Sequence, residues 1–200
     1  MNRDIFIKHG LDFDDLFYQR CEKFKHLLQQ WGAVHNLTAM LKDQQIEHNI
    51  LDSVYPVKFL NDFETLVDIG TGAGYPGILL SIAYPLKKVS VVEPKSKRVA
   101  FLSFVKKALD LENLEVIHNR VENMSAKKFD LITSRAVTNT SLLLSLTRNL
   151  VKDDTEFLFY KGTLCAQEIE EARLNNYTIV EFVDHRNYLY MKRKGLFDDI

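Results

Sequence analysis

The run Val67-Asp68-Ile69-Gly70-Thr71-Gly72-Ala73-Gly74-Tyr75-Pro76-Gly77 constrains this chain more than any other segment. An apolar stretch, Thr65 to Ile69, enters it, and a helical pattern from Pro76 leaves it, with proline early in the first turn, where no N–H is needed. The alternate glycines Gly70, Gly72 and Gly74 let a backbone turn sharply and approach a ligand with no side chain between them. Open α/β sheets bind cofactors at such a crevice, beyond the carboxyl ends of their strands. The plainer alternative is a tight turn with no ligand. The loop lies in the longest uncharged stretch, Ile69 to Leu86, whose glycines and prolines exclude a membrane span.

Ahead of the loop the pattern is helical. Phe13, Leu16, Phe17, Cys21, Phe24, Leu27, Leu28 and Trp31 recur every three or four positions, with Asp12 as the expected cap. A second helix is expected from Asp43 to about Leu60, kinked at Pro56. Residues 1–61 therefore read as a helical extension and 62–200 as a sheet domain. From Thr65 short apolar runs alternate with helical ones. Strands are expected at Thr65–Ile69, Val89–Glu93, Leu114–His118, Phe129–Ser134, Glu156–Tyr160, Thr178–Val183 and Tyr188–Lys192. Helices are expected at Pro76–Tyr84, Ser96–Leu109, Ser141–Leu150 and Leu164–Leu174, with a short link near Glu122 to Ala126. Only a few residues around Asp184 and His185 join the last two strands, enough for an antiparallel hairpin but not for a parallel crossover. The expected fold class is thus α/β, the Rossmann-like class I methyltransferase arrangement. It has a seven-stranded, mostly parallel sheet with a C-terminal antiparallel hairpin strand and an N-terminal helical extension.

Composition sets limits on partners. With 46% hydrophobic and 26% charged residues over 200 positions, the chain can bury a core without a metal or disulfide staple. Cys21 and Cys165 stand far apart and outside any Cys-x-x-Cys or Cys/His cluster, and are expected to be buried thiols; no metal site is expected. Lys+Arg 26 against Asp+Glu 27 leaves no overall field to attract nucleic acid or membrane, so any such binding must be local. One local excess runs from Pro85 to Lys107: Lys87, Lys88, Lys95, Lys97, Arg98, Lys106 and Lys107 against Glu93 alone. Lys192-Arg193-Lys194 forms a second basic cluster. Met1 to Gly10 lacks the apolar core and cleavage site of a signal peptide, which leads to the expectation of a cytoplasmic protein.

Gly72-x-Gly74-x-x-Gly77 also fits the dinucleotide pattern, which alone discriminates poorly. Asp68, before the first glycine, would repel a pyrophosphate but suits the cationic amino and sulfonium end of S-adenosylmethionine. Glu93, at the end of the second strand, can accept hydrogen bonds from a ribose diol, which both cofactors possess. The terminal hairpin favours the methyltransferase.

Over nearly its whole length the chain resembles the glucose-inhibited division protein B family, bacterial small-subunit ribosomal RNA methyltransferases. The resemblance rests on Trp31 with Asn36-Leu37-Thr38-Ala39, His48 with Leu51-Asp52-Ser53, and the glycine loop with Pro76-Gly77. It continues through Lys97-Arg98 with Phe101-Leu102, Arg120-Val121-Glu122, Ser134-Arg135-Ala136 and Lys161-Gly162. Gly32, Glu93-Pro94 and Val121 depart from residues usual in the family, without removing a charge or a glycine from the crevice. The resemblance implies transfer of a methyl group from S-adenosylmethionine to nitrogen 7 of one guanosine in the decoding region of 16S rRNA. It also implies cofactor contacts at Gly70, Tyr75, Glu93, Val121, Glu122 and Arg135, joined in the expected crevice by Asp68, Gly72 and Gly74.

The segment Thr133-Ser134-Arg135-Ala136 is neither the Asn/Asp-Pro-Pro-aromatic loop of exocyclic amine methylation nor a carrier of the cysteine nucleophile of pyrimidine carbon-5 methylation. Nitrogen 7 of guanine has a lone pair and no proton to lose, so positioning can suffice without a general base. Arg135 is the expected contact to cofactor or base, and Lys161 the expected contact to phosphate. Lys95, Lys97 and Arg98 are expected to hold RNA, either naked 16S rRNA or the small ribosomal subunit, with the protein acting as a monomer. His48 and Asp52, four apart, are expected to form a local pair, either structural or bracing the acceptor pocket. The competing readings are a small-molecule methyltransferase using the same crevice and a catalytically silent RNA-binding protein.

Overall fold

The computed structural model of the protein describes residues 1–35, 37–125 and 127–193. Asn36 of the Asn36-Leu37-Thr38-Ala39 segment, Ala126 at the end of the expected link and Lys194 of the second basic cluster lie outside the described residues. Among those described, seven strands form one sheet: β1 (Thr65–Ile69), β2 (Lys88–Val92), β3 (Leu114–Ile117), β4 (Phe129–Arg135), β5 (Val151–Lys161), β6 (Tyr177–Phe182) and β7 (Arg186–Lys192). Their order is β3-β2-β1-β4-β5-β7-β6. The first five run parallel, and β7 pairs antiparallel with β5 and with β6, the latter as the short Asp184–His185 connection demands. The chain reverses its direction of travel across the sheet between β1 and β4, and the glycine loop leaves β1 at that point.

The helices are α1 (Arg3–Lys8), α2 (Asp15–His35), α3 (Asp43–Val54), α4 (Gly77–Ala83), α5 (Ser96–Ala108), α6 (Thr140–Leu146) and α7 (Cys165–Glu171). Strand alternation divides the core in two. Leu66, Val91, Leu131, Leu158 and Tyr160 face Phe6, Phe17, Phe24, Ile46, Ile50, Leu79 and Phe101 of the first five helices. Val67, Ile69, Ile132, Phe157 and Phe159 face Leu143 and Leu144 of α6 and Cys165 and Ile169 of α7. The N-terminal helices thus share one hydrophobic cluster with the sheet, and Asn61 marks a change of element type without a gap in packing. Cys21 and Cys165 are buried free thiols, as expected.

Several local expectations need correction. Asp14, not Asp12, caps α2: its Oδ1 accepts the Phe17 N–H at 2.8 Å, the N-cap to N3 spacing, while Asp12 pairs with Arg3 at 3.3 Å. Pro56 ends α3 instead of kinking it. Its missing N–H and ring clash leave only a 3-10 turn at Tyr55–Lys58. The expected Ser141–Leu150 helix stops at Leu146, followed by a 3-10 turn at Arg148–Leu150, with the Thr147 hydroxyl donating to the Leu143 carbonyl at 2.8 Å.

Candidate functional site

Backbone geometry fixes the loop first. The Gly70 and Thr71 N–H groups donate to the Val92 carbonyl at 2.8 and 3.2 Å, so the loop leaves β1 fastened to the end of β2. Gly72, in the left-handed region at φ +62°, donates its N–H to Glu93 Oε2 at 3.1 Å. The Lys95 N–H donates to Glu93 Oε1 at 2.9 Å, and Arg98 Nη1 lies 3.5 Å from Oε2. Glu93, only 2% exposed, thereby ties the loop to the start of α5. A Cβ on Gly72 would meet nothing nearer than 3.9 Å, so the space beside this glycine is open. Gly77 is the opposite case: a Cβ there would lie 2.4 Å from Val91 Cγ1, and its absence lets α4 seat on the sheet.

Asp68 lies beneath the loop, fully buried. Its Oδ2 accepts the Gly77 N–H at 2.9 Å and its Oδ1 the Thr133 hydroxyl at 3.1 Å. Burial pushes its carboxyl up to about 6, against the opposing pull of these hydrogen bonds. Both oxygens thus have partners in the protein, and the role visible in the structure is to fasten the loop to α4 and β4. Tyr75 packs edge-on against Phe24 at 5.5 Å between centroids and carries the Arg135 guanidinium 5.5 Å from its own ring centre. Burial raises its phenol well above the ordinary range, and its hydroxyl has no hydrogen-bond partner among the described residues.

Arg135 ends β4 and reaches toward α3. Its Nη1 lies 3.1 Å from Asp52 Oδ2, and its Nη2 donates to Asn49 Oδ1. Asp52 is 1% exposed, and its Oδ1 also accepts Arg186 Nε at 2.9 Å and the Tyr188 hydroxyl at 2.9 Å. One carboxylate therefore serves two guanidinium groups, leaving the cluster cationic. A pocket of about 450 Å³ opens beside it between α3 and the β6–β7 turn, lined by Met40, Gln45, His48, Asn49, Arg135 and Arg186, among others. The expected His48–Asp52 pair does not form. Two arginines and a phenol hold Asp52 toward the sheet, while the half-buried His48 lies 3.6 Å from Asp184 in the β6–β7 turn.

The other expected residues are dispersed. Lys161 is buried, with Nζ 2.6 Å from Glu168 Oε2 and donating to the Thr138 carbonyl at 3.3 Å, so its ammonium is committed within the protein. Val121 is buried in the second core cluster at the start of a 3-10 turn after β3, and Glu122 beside it is exposed, 3.7 Å from Arg120. Lys95 and Lys97 are exposed, and Arg98 is half-buried. Asn49, Arg186 and Tyr188 entered the site unforeseen. Asn49 stands three residues before Asp52 on the same helix face, a findable signal; the two β7 residues needed the hairpin register. Among the described residues no group of three or more His, Cys, Asp or Glu is placed to hold a metal ion, and no helix is long and apolar enough to cross a membrane.

The solved structure of a methyltransferase from Geobacter sulfurreducens superposes with a TM-score of 0.62 over 94% of each chain at 13% identity, a likeness of fold. Two relatives named ribosomal RNA small subunit methyltransferase G are far closer in sequence. That of Aliarcobacter butzleri is 54% identical over 92% of this chain and 94% of its own. That of Wolinella succinogenes is 44% identical over 91% and 93%. The family model described as rRNA small subunit methyltransferase G matches residues 18–194. With the loop, the sheet order and this match in agreement, the chain belongs to the rRNA small subunit methyltransferase G family.

Proposed function

We propose that the protein methylates nitrogen 7 of one guanosine in the decoding region of 16S rRNA, in the cytoplasm and as a monomer, using S-adenosylmethionine. Besides family membership, the observation that carries this reading is that Tyr75, in a glycine loop that is open at Gly72, carries the guanidinium of the cationic Arg135 cluster over its ring. The residues fit the cofactor: space beside Gly72, the Glu93 carboxylate at the loop, and the unpartnered Tyr75 hydroxyl. When bound, S-adenosylmethionine supplies an electrophilic methyl group on a positively charged sulfur.

In this reading the Gly70, Gly72 and Gly74 backbone lines the cofactor, with Asp68 fixing the loop's shape. Glu93 accepts from the ribose, Val121 gives an apolar wall to the adenine, and Glu122 gives it a polar contact. Arg135 contacts the acceptor base. Lys161 supports the Ala136–Asn139 loop through the Thr138 carbonyl, and phosphate contacts fall to Lys95, Lys97 and Arg98. The acceptor nitrogen brings its own lone pair, so these residues orient the reactants and exclude water without having to remove a proton.

The test is methyl transfer from labelled S-adenosylmethionine to unmethylated small ribosomal subunits and to naked 16S rRNA, followed by nucleoside mass analysis. Label is expected as 7-methylguanosine. Cofactor binding without label in either RNA would overturn the RNA substrate in favour of a small-molecule acceptor.

A further inference from the structure

Asp52 is a buried acid that the methyl-transfer chemistry itself does not use. It lies on α3, remote in sequence from every glycine-loop residue, yet its carboxylate is shared by Arg135 at 3.1 Å, Arg186 at 2.9 Å and the Tyr188 hydroxyl at 2.9 Å. Its backbone carbonyl accepts a second contact from Tyr188 at 3.0 Å, and the next carbonyl, of Ser53, accepts the Tyr160 hydroxyl at 2.6 Å. One turn earlier Asn49 takes the other arm of Arg135. The end of α3 is thus pinned to β5 and β7, and from that fixed frame Asn49 Oδ1 accepts from Arg135 Nη2 while the Asp52 carboxylate faces Nη1 at 3.1 Å as an ion-pair partner without hydrogen-bond geometry, the guanidinium lying over the Tyr75 ring. An arginine side chain has several rotatable bonds, and a hydrogen bond at one arm with an opposite charge beside the other restricts where its guanidinium rests.

We propose that Asp52, assisted by Asn49, is a positioning residue that sets the Arg135 guanidinium for the acceptor base; this rests on the reading that Arg135 contacts that base. The N-terminal helices then contribute to methyl transfer by supplying the grip on an arginine of the sheet domain.

Asp52→Asn keeps the shape and removes the charge. It is expected to lower kcat for methyl transfer to small subunits by about a hundredfold, the scale of a misplacement near 1 Å, while the Kd for S-adenosylmethionine stays within about twofold. Arg135→Lys, which keeps the charge but not the fork, is expected to lower kcat too, and adding Asp52→Asn to it should cost little more, because residues acting as one unit are non-additive. Full multiplication of the two losses, or an Asp52→Asn protein with unchanged kcat, overturns the proposal. Should Asp52→Asn fail to fold, Asn49→Ala decides, since it leaves the Asp52 carboxylate and both of its ion pairs in place. About a tenfold loss of kcat that vanishes in the Arg135→Lys background is expected, and additivity overturns the proposal. Unimpaired transfer by both Arg135→Lys and Arg135→Ala would instead refute the role of Arg135 itself.

Discussion

A carboxyl group sealed beneath a backbone loop, as Asp68 is, trades solvation for geometry. Its two hydrogen bonds hold Gly77 and Thr133 in place, yet burial raises its pKa from an ordinary 3.8 to about 6. The folded state therefore holds the proton more tightly than the unfolded chain. This contribution favours folding most below pH 3.8 and is lost as pH rises through about 6, a difference of roughly 3 kcal/mol for a shift of this size. Asp68→Asn, which keeps one acceptor oxygen, should flatten the wild-type dependence of unfolding free energy on pH between about 4 and 6.5. Urea unfolding across that window checks it; parallel curves for the two proteins would show that Asp68 does not titrate there. At this scale the sequence identified the residues better than their directions. Asp68 stood out by its place before Gly70, but only the packed loop shows its oxygens turned inward. His48 and Asp52 stood out by spacing, but partners more than eighty residues away decided where each one points.

Helix α3 owes its placement to hydroxyls from strands far along the chain. Tyr160 donates to the Ser53 carbonyl, and Tyr188 to the Asp52 carbonyl and carboxylate. Removing a buried donor leaves its acceptor unsatisfied at a cost of about 1–3 kcal/mol, so Tyr160→Phe and Tyr188→Phe should each destabilise by about that much. Tyr188→Phe should be the worse, because it also strips a donor from a buried carboxylate. Denaturant midpoints at unchanged m-value would measure both; equal stability of the Tyr188→Phe protein would mean that water replaces the hydroxyl. Elements were legible wherever one period dominated, and β1 carries the expected Thr65–Ile69 limits unchanged. By contrast β5 begins at Val151, five residues before the expected start. Its first residues, Lys152, Asp153, Asp154 and Thr155, pass a register shift against β4 and carry no apolar alternation to announce a strand.

For the whole molecule, the fold redistributes a charge run that looks continuous in sequence. Between Pro85 and Lys107 the chain traverses β2 toward the glycine loop and returns along α5, so its basic residues end up at opposite ends of the strands. Lys87 and Lys88 stand at the start of β2, where Lys87 is held by Asp62 and Glu64, each at 2.8 Å. Lys106 and Lys107 lie in the last turn of α5, about 15 Å of helix from its start. Lys95, Lys97 and Arg98 alone flank the loop, and Arg98 is drawn to Glu93. A charge count could find the run; only the reversal of direction separates its parts. If RNA is held beside the crevice, Lys95→Ala combined with Lys97→Ala should reduce the slope of log K against log salt by about 1.4–1.8, two phosphate contacts' worth, and leave cofactor affinity intact. Lys87→Ala with Lys88→Ala should leave the slope unchanged, and Arg98→Ala should weaken cofactor binding as well, through Glu93. Titration of a labelled 16S rRNA fragment between 50 and 200 mM salt, roughly the range over which such contacts are resolved, separates these cases. Equal slope changes from the two lysine pairs would mean that the RNA also engages the start of β2, and the crevice would then have no privileged share in holding it.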